Sequence, residues 1–84
     1  YKGIFNRNFY IISLMNRGFK EILEEYLKEN NLTQTKFASV VGVKQSQVSE
    51  WLKGKAKPGY DLLKQISVSL NVPSDYWLGI TDTY

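Results

Sequence analysis

The chain contains no cysteine and no histidine. Without cysteine it forms no disulfide and offers no thiolate to a metal, and a reducing cytoplasm suits such a sequence. Without histidine it lacks the side chain that most often serves as general base and metal ligand near neutral pH. No glycine-rich loop precedes a Lys-Ser or Lys-Thr pair, so the phosphate cradle of nucleotide-using enzymes is missing as well. These gaps argue against an enzyme, and they point to no cofactor, metal or small-molecule ligand. The apolar run from Phe9 to Leu14 is too short to span a bilayer, and it lacks the small-residue cleavage site of a secretory signal.

What remains is enough for one compact domain. Eighty-four residues, 43% of them hydrophobic, can bury a single core, which argues against global disorder. The net charge is only +3, but it is unevenly spread. Between Thr33 and Lys57, Lys36, Lys44, Lys53, Lys55 and Lys57 face Glu50 alone, a local balance of +4. The segments on either side are mildly acidic: four glutamates against three bases in residues 17–32, and three aspartates against one lysine in residues 58–84. A positive field concentrated on one stretch is what a phosphate-facing surface requires.

That stretch also carries the strongest local pattern. Thr33 supplies a hydroxyl that can cap a helix over Gln34 to Val41, and Gly42 can take the left-handed conformation that ends it. Lys44 and Gln45 then open a second helix over Gln45 to Lys53, whose outward side is made of hydrogen-bonding groups. Two short helices around a tight corner are a helix-turn-helix. Phe37, Ala38, Val41, Val48 and Trp51 face inward, and Ala38 is small enough to let the two helices cross closely.

Three further helices surround this pair. Phe19, Ile22, Leu23, Tyr26 and Leu27 form an apolar stripe over Gly18 to Glu29, with Asn30-Asn31 closing the helix. Glu24 and Glu25, adjacent on its outer side, read as solvation rather than acid–base chemistry. Leu62, Leu63, Ile66 and Leu70 place a helix over Tyr60 to Leu70 on the core, after the break at Pro58-Gly59. Ser74 is placed to cap a short helix through Leu78, with Pro73 stopping continuation of the one before. Residues 1–16 read as a separate N-terminal arm, an extended strand or disordered, whose aromatic and β-branched run favours the strand. Two readings of the arm stand side by side: upstream sequence ahead of a natural start at Met15, or a strand that pairs with a second subunit.

The segment from Thr33 to Gly54 resembles the phage repressor/Cro-type (XRE) helix-turn-helix family. Gln34, Ala38, Gly42, Val48, Trp51 and Gly54 fall where that family's pattern expects them. The likeness continues through Lys57-Pro58 and Leu70-Asn71-Val72-Pro73 to Trp77-Leu78-Gly79, covering residues 17–80 and leaving 81–84 as a tail. It implies an all-α, five-helix lambda-repressor-like bundle. One departure stands out. Family members often pair an Arg on the first helix with a Glu just after the Trp, and those positions are Leu27 and Leu52 here. A leucine contact in place of an ion pair avoids the desolvation of two charges, so Leu27 and Leu52 are expected to touch, or else one of them serves a partner surface.

The resemblance implies binding to double-stranded DNA, and the residue chemistry suits it. The major groove admits one helix, and only the first turns and outer face of that helix reach base edges. On the second motif helix this selects Lys44, Gln45, Ser46, Ser49 and Glu50 as base readers. Gln45 can engage adenine through two bonds, and Lys44 can donate to guanine. Glu50 can accept from a cytosine amine, or instead orient Lys53 or Gln47. By resemblance Gln34 is a backbone clamp, and Thr33, Lys36, Gln47, Lys53, Lys55 and Lys57 are expected to meet phosphates around it. Ordinary exposed helix surface is the competing reading for each of these residues. The leading function is a dimeric prokaryotic or prophage repressor, cytoplasmic and acting on the nucleoid, that reads a pseudo-palindromic operator. An antitoxin or an adaptor working through protein contacts is the alternative. Stacking of Tyr60, Tyr76, Trp77 and Tyr84 on single-stranded bases is disfavoured, because these aromatics lie outside the basic block.

Overall fold

The computed structural model describes residues 18–84. The predicted arm, residues 1–16, lies outside the described residues together with Arg17. Every element among the described residues is helical: α1 (Phe19–Glu29), α2 (Gln34–Val41), α3 (Gln45–Leu52), α4 (Tyr60–Leu70) and α5 (Ser74–Trp77). This is the five-helix bundle that the apolar periodicity predicts. The ends shift by one residue: Gly18, Lys53 and Leu78 flank their helices as caps rather than lying inside them.

The ends themselves follow from side-chain chemistry. Glu21 Oε1 accepts from the Gly18 amide at 3.0 Å, satisfying a donor that the first turn of α1 leaves free. Asn30 closes α1 by donating from Nδ2 to the Tyr26 carbonyl at 2.9 Å, and Asn31 follows in the left-handed region at φ 53°. Asn71, at φ 55°, ends α4 in the same way. Ser74 does not cap α5 as predicted. Pro73, already extended at φ −59° and ψ 146°, occupies the cap position and its carbonyl accepts from the Tyr76 amide at 3.1 Å. The Ser74 hydroxyl is therefore released to pair with Ser67 Oγ at 3.1 Å, tying α5 to α4.

The core is aromatic at its centre. Trp77, 2% exposed, lies 5.0 Å from Tyr26, 5.0 Å from Tyr76, 6.0 Å from Phe19 and 6.2 Å from Phe37 between ring centroids. One indole thus joins α1, α2 and α5, and each tilted or edge-on pair adds about 0.5–1.5 kcal/mol beyond simple burial. Trp51 fastens α3 to α1 by standing edge-on to Phe19 at 5.6 Å. Tyr84 folds back so that its ring packs on Tyr26 and Tyr76 while its hydroxyl donates to Glu29 Oε1 at 2.8 Å. Leu27 is buried in this core and Leu52 packs half-buried against it, so neither is exposed. On α4 Ile66 and Ser67 are buried, while Leu62, Leu63 and Leu70 line the core's edge.

The corner between α2 and α3 sets how the motif is presented. Gly42 adopts φ 78° and ψ 36°, the left-handed conformation, and its amide donates to the Ala38 carbonyl at 2.9 Å. Val43 donates to the same carbonyl at 3.0 Å, so two amides close on one oxygen and the chain turns within three residues. Gln65, reaching across from α4, donates from Nε2 to the Val41 carbonyl at 2.6 Å and to that of Gly42 at 3.3 Å. These are carbonyls that the end of α2 leaves without helical partners.

Two stability tests bear on the corner. Gly42→Ala should lower unfolding free energy by about 1–2 kcal/mol in urea titrations, because an L-residue is strained in that region. Its Cβ would also meet Gln65 Nε2 at 3.1 Å. Gln65→Ala should cost about 1 kcal/mol through its lost bond to Val41. An unchanged midpoint for Gln65→Ala would mean that the cross-helix amide does not hold the turn.

Candidate nucleic-acid interface

The local sequence around Thr33 and Lys44 builds two helix starts side by side. Thr33 is extended, and its Oγ1 accepts from the Lys36 amide at 3.1 Å, as the capping pattern predicts. Lys44 precedes α3 in an extended conformation, and Gln47 reaches back so that its Oε1 accepts from the Lys44 amide at 3.2 Å. Each start therefore has one orphan donor satisfied by a side chain. Both helix dipoles present a partial positive charge there, which attracts an anion.

The two starts are linked. Gln45 Nε2 donates to Gln34 Oε1 at 2.7 Å, joining the first residue of α3 to the first residue of α2. Gln34 is half-buried, whereas Gln45 is exposed. The bond leaves Gln45 with its carbonyl oxygen and one N–H, and leaves Gln34 with its own amide hydrogens. Sequence reasoning singles out each glutamine but does not pair them. The signal was there only as the side-by-side crossing that a small Ala38 permits.

The remaining predicted base readers also lie on the outer side of α3. Lys44, Ser46 and Glu50 are exposed and Ser49 is half-buried, while Val48 and Trp51 turn into the core. The carboxylate of Glu50 has no ion-pair or hydrogen-bond partner among the described residues, so it orients neither Lys53 nor Gln47 there. Of the predicted phosphate contacts, Thr33 and Lys36 sit at the start of α2, and Gln47, whose oxygen is already engaged, is half-buried in the first turn of α3.

Lys53, Lys55 and Lys57 are exposed on the loop after α3. That loop is shaped by Gly54 at φ 75° and by the Lys55 amide donating to the Glu50 carbonyl at 3.1 Å. A Cβ on Gly54 would meet Lys20 Cδ at 3.3 Å, so α1 also presses on the turn. The described residues thus carry amide, hydroxyl and ammonium groups along the free side of one short helix and its two flanks. Gln65 is absent from the sequence-based site, and properly belongs behind it. It acts on the corner, and its partner lies 24 residues away, beyond any local pattern.

Tyr76 and Trp77 are buried in the core, and Tyr84 lies against Tyr26; these rings are occupied in packing. Among the described residues no group of acidic side chains could hold a metal, and no helix is long and apolar enough to cross a membrane.

The family model described as helix-turn-helix matches residues 23–77, well over half the chain. No curated protein and no solved structure matches it significantly. The matched span runs from the middle of α1 through Trp77, taking in the Gly42 corner and all of α3. The chain belongs to the XRE/Cro-type helix-turn-helix family of DNA-binding transcription regulators.

Proposed function

We propose that this protein is a sequence-specific, dimeric repressor that reads the major groove of double-stranded DNA with α3. In this reading Lys44, Gln45, Ser46, Ser49 and Glu50 meet base edges. Thr33, Gln34, Lys36, Gln47, Lys53, Lys55 and Lys57 meet the phosphates that flank them. The observation that carries the reading is the bond from Gln45 to Gln34 at 2.7 Å on an otherwise open surface. A bidentate contact with adenine needs one carbonyl oxygen and one N–H, and those are the groups the bond leaves to Gln45. The bond uses only the oxygen of the Gln34 amide and leaves its hydrogens to donate to a phosphate oxygen, so one hydrogen bond couples base reading to backbone grip.

The rest of the surface supports the same reading. Lys36 lies by the α2 start, and Lys53, Lys55 and Lys57 follow α3, so a backbone on either side of the groove meets positive charge. A single reading helix covers only a few base pairs, and useful affinity comes from two copies on half-sites about 34 Å apart. A dimer engaging about six to eight phosphates should show a log–log salt slope of about −5 to −7. Binding of this kind represses by occlusion and places the protein on the nucleoid in the cytoplasm.

The test is selection of sites from a random duplex pool, followed by affinity measurements on the enriched site. Gln45→Ala should weaken binding to that site by about 1–3 kcal/mol and relax preference at one base pair in each half. Retention of full site preference by the variant would remove α3 from the role of reader. Lys55→Ala should weaken every sequence alike and flatten the salt slope by about one unit per DNA-bound protomer. Weak, sequence-independent binding by the unaltered protein would instead favour an adaptor or antitoxin role.

A further inference from the structure

We infer that N6-methylation of the adenine met by Gln45 excludes this protein from its site, so that the Gln34–Gln45 pair separates unmodified duplex DNA from duplex methylated at adenine N6. The inference rests on the reading of DNA by α3 proposed above and names the chemical form of DNA that this reading accepts. A glutamine amide offers one oxygen acceptor and two N–H donors, and on a free side chain they turn to suit whatever they meet. Gln45 is not free in this sense. One of its Nε2 hydrogens is donated to Gln34 Oε1 at 2.7 Å. Turning the Gln45 amide over by itself would set two carbonyl oxygens against each other, so the bond fixes which side carries oxygen and which nitrogen. Both ends of the bond are seated on held backbone. Gln34 follows Thr33, whose Oγ1 accepts from the Lys36 amide at 3.1 Å, and Gln45 follows Lys44, whose amide donates to Gln47 Oε1 at 3.2 Å. Between the two, Gln65 Nε2 donates to the Val41 carbonyl at 2.6 Å.

In the major groove adenine shows an acceptor at N7 and a donor at N6. The pinned amide meets them in one sense only, with Oε1 accepting from N6 and the remaining N–H donating to N7. Adenine N6 carries two hydrogens. One is used in pairing with thymine, and the other faces the groove. A methyl group that leaves the base pair intact therefore replaces the groove hydrogen, the one Oε1 needs. Oε1 then loses its donor and meets carbon at the same place. Leaving an acceptor desolvated without a partner costs more than the bond itself contributes. Gln45 cannot turn the oxygen aside without giving up Gln34. Its neighbours on the reading side are more accommodating. The Ser46 and Ser49 hydroxyls can rotate and the exposed Lys44 ammonium sits on a flexible stem, so a methyl group in front of them is avoided. Sensitivity to the modification is thus concentrated on Gln45, and methylation of the DNA, rather than any change in the protein, sets occupancy.

Two duplexes of the enriched site test this, identical except that one carries N6-methyladenine at the base pair whose preference Gln45→Ala relaxes. The unaltered protein should bind the methylated duplex about 10- to 100-fold more weakly. Gln45→Ala should bind the two duplexes alike, because no amide is left to meet the methyl group. Gln34→Ala should show a smaller penalty than the unaltered protein, since its Gln45 is free to turn. Neither glutamine lies in the core, so both variants should keep the helical circular dichroism of the unaltered protein. Equal binding of both duplexes by the unaltered protein, or an undiminished penalty in Gln45→Ala, would overturn the inference and leave the reading of DNA by α3 standing. An undiminished penalty in Gln34→Ala would overturn the part assigned to the pinning bond. A G·C pair at the relaxed position would overturn the adenine contact on which the inference depends. No enriched site at all would instead count against the DNA reading itself.

Discussion

The geometry of the whole motif depends on how tightly the chain turns between α2 and α3. A three-residue corner allows little slack, so the direction of α3 relative to α2 is set by the backbone at Gly42 and by what packs beneath it. Ala38, 3% exposed, gives the crossing helices room to approach, and its carbonyl receives both amides that close the turn. Gln65 then fixes the far side by occupying the carbonyls of Val41 and Gly42. Only with that angle held do the first residues of the two helices come close enough for one amide to reach the other.

Behind the corner, the core works as a platform. Trp77 gathers rings from α1, α2 and α5 at the centre, and Trp51 brings α3 onto α1 through Phe19. Side chains locked by such contacts do not drift, so α3 is presented as a rigid body rather than as a mobile segment. Rigidity matters for reading bases, since a donor displaced by an ångström loses its bond. The two leucines at positions 27 and 52 belong to the same logic. They place apolar groups at or beside the core where the resemblance leads one to expect an ion pair, and they spare the domain the cost of desolvating two charges.

Much of this was legible in the sequence because it is local. A threonine three residues ahead of Lys36, a glycine after the last apolar position of α2, and apolar residues at steps of three and four define helices with no knowledge of the fold. The sorting of α3 into an inner side of Val48 and Trp51 and an outer side of Lys44, Gln45, Ser46 and Glu50 follows from the same periodicity. What was not legible depends on partners brought together by packing. Gln34 and Gln45 are 11 residues apart, Gln65 and Val41 24, and Tyr84 and Glu29 55. Ser74 shows the limit within a local motif: a serine after a proline reads as a cap, but the proline's own extended backbone takes that place and the hydroxyl finds Ser67 instead.

In the proposed reading, the Gln34–Gln45 bond ties base recognition to phosphate grip. A double-mutant cycle on these two residues, with affinity measured on the selected site and on the same site altered at the base pair assigned to Gln45 by the proposal, tests it most directly. The two substitutions should be strongly non-additive on the selected site, with a coupling of about 0.5–3 kcal/mol, and additive on the altered one. Equal additivity on both duplexes would contradict the claim, because the two glutamines would then be acting on DNA independently.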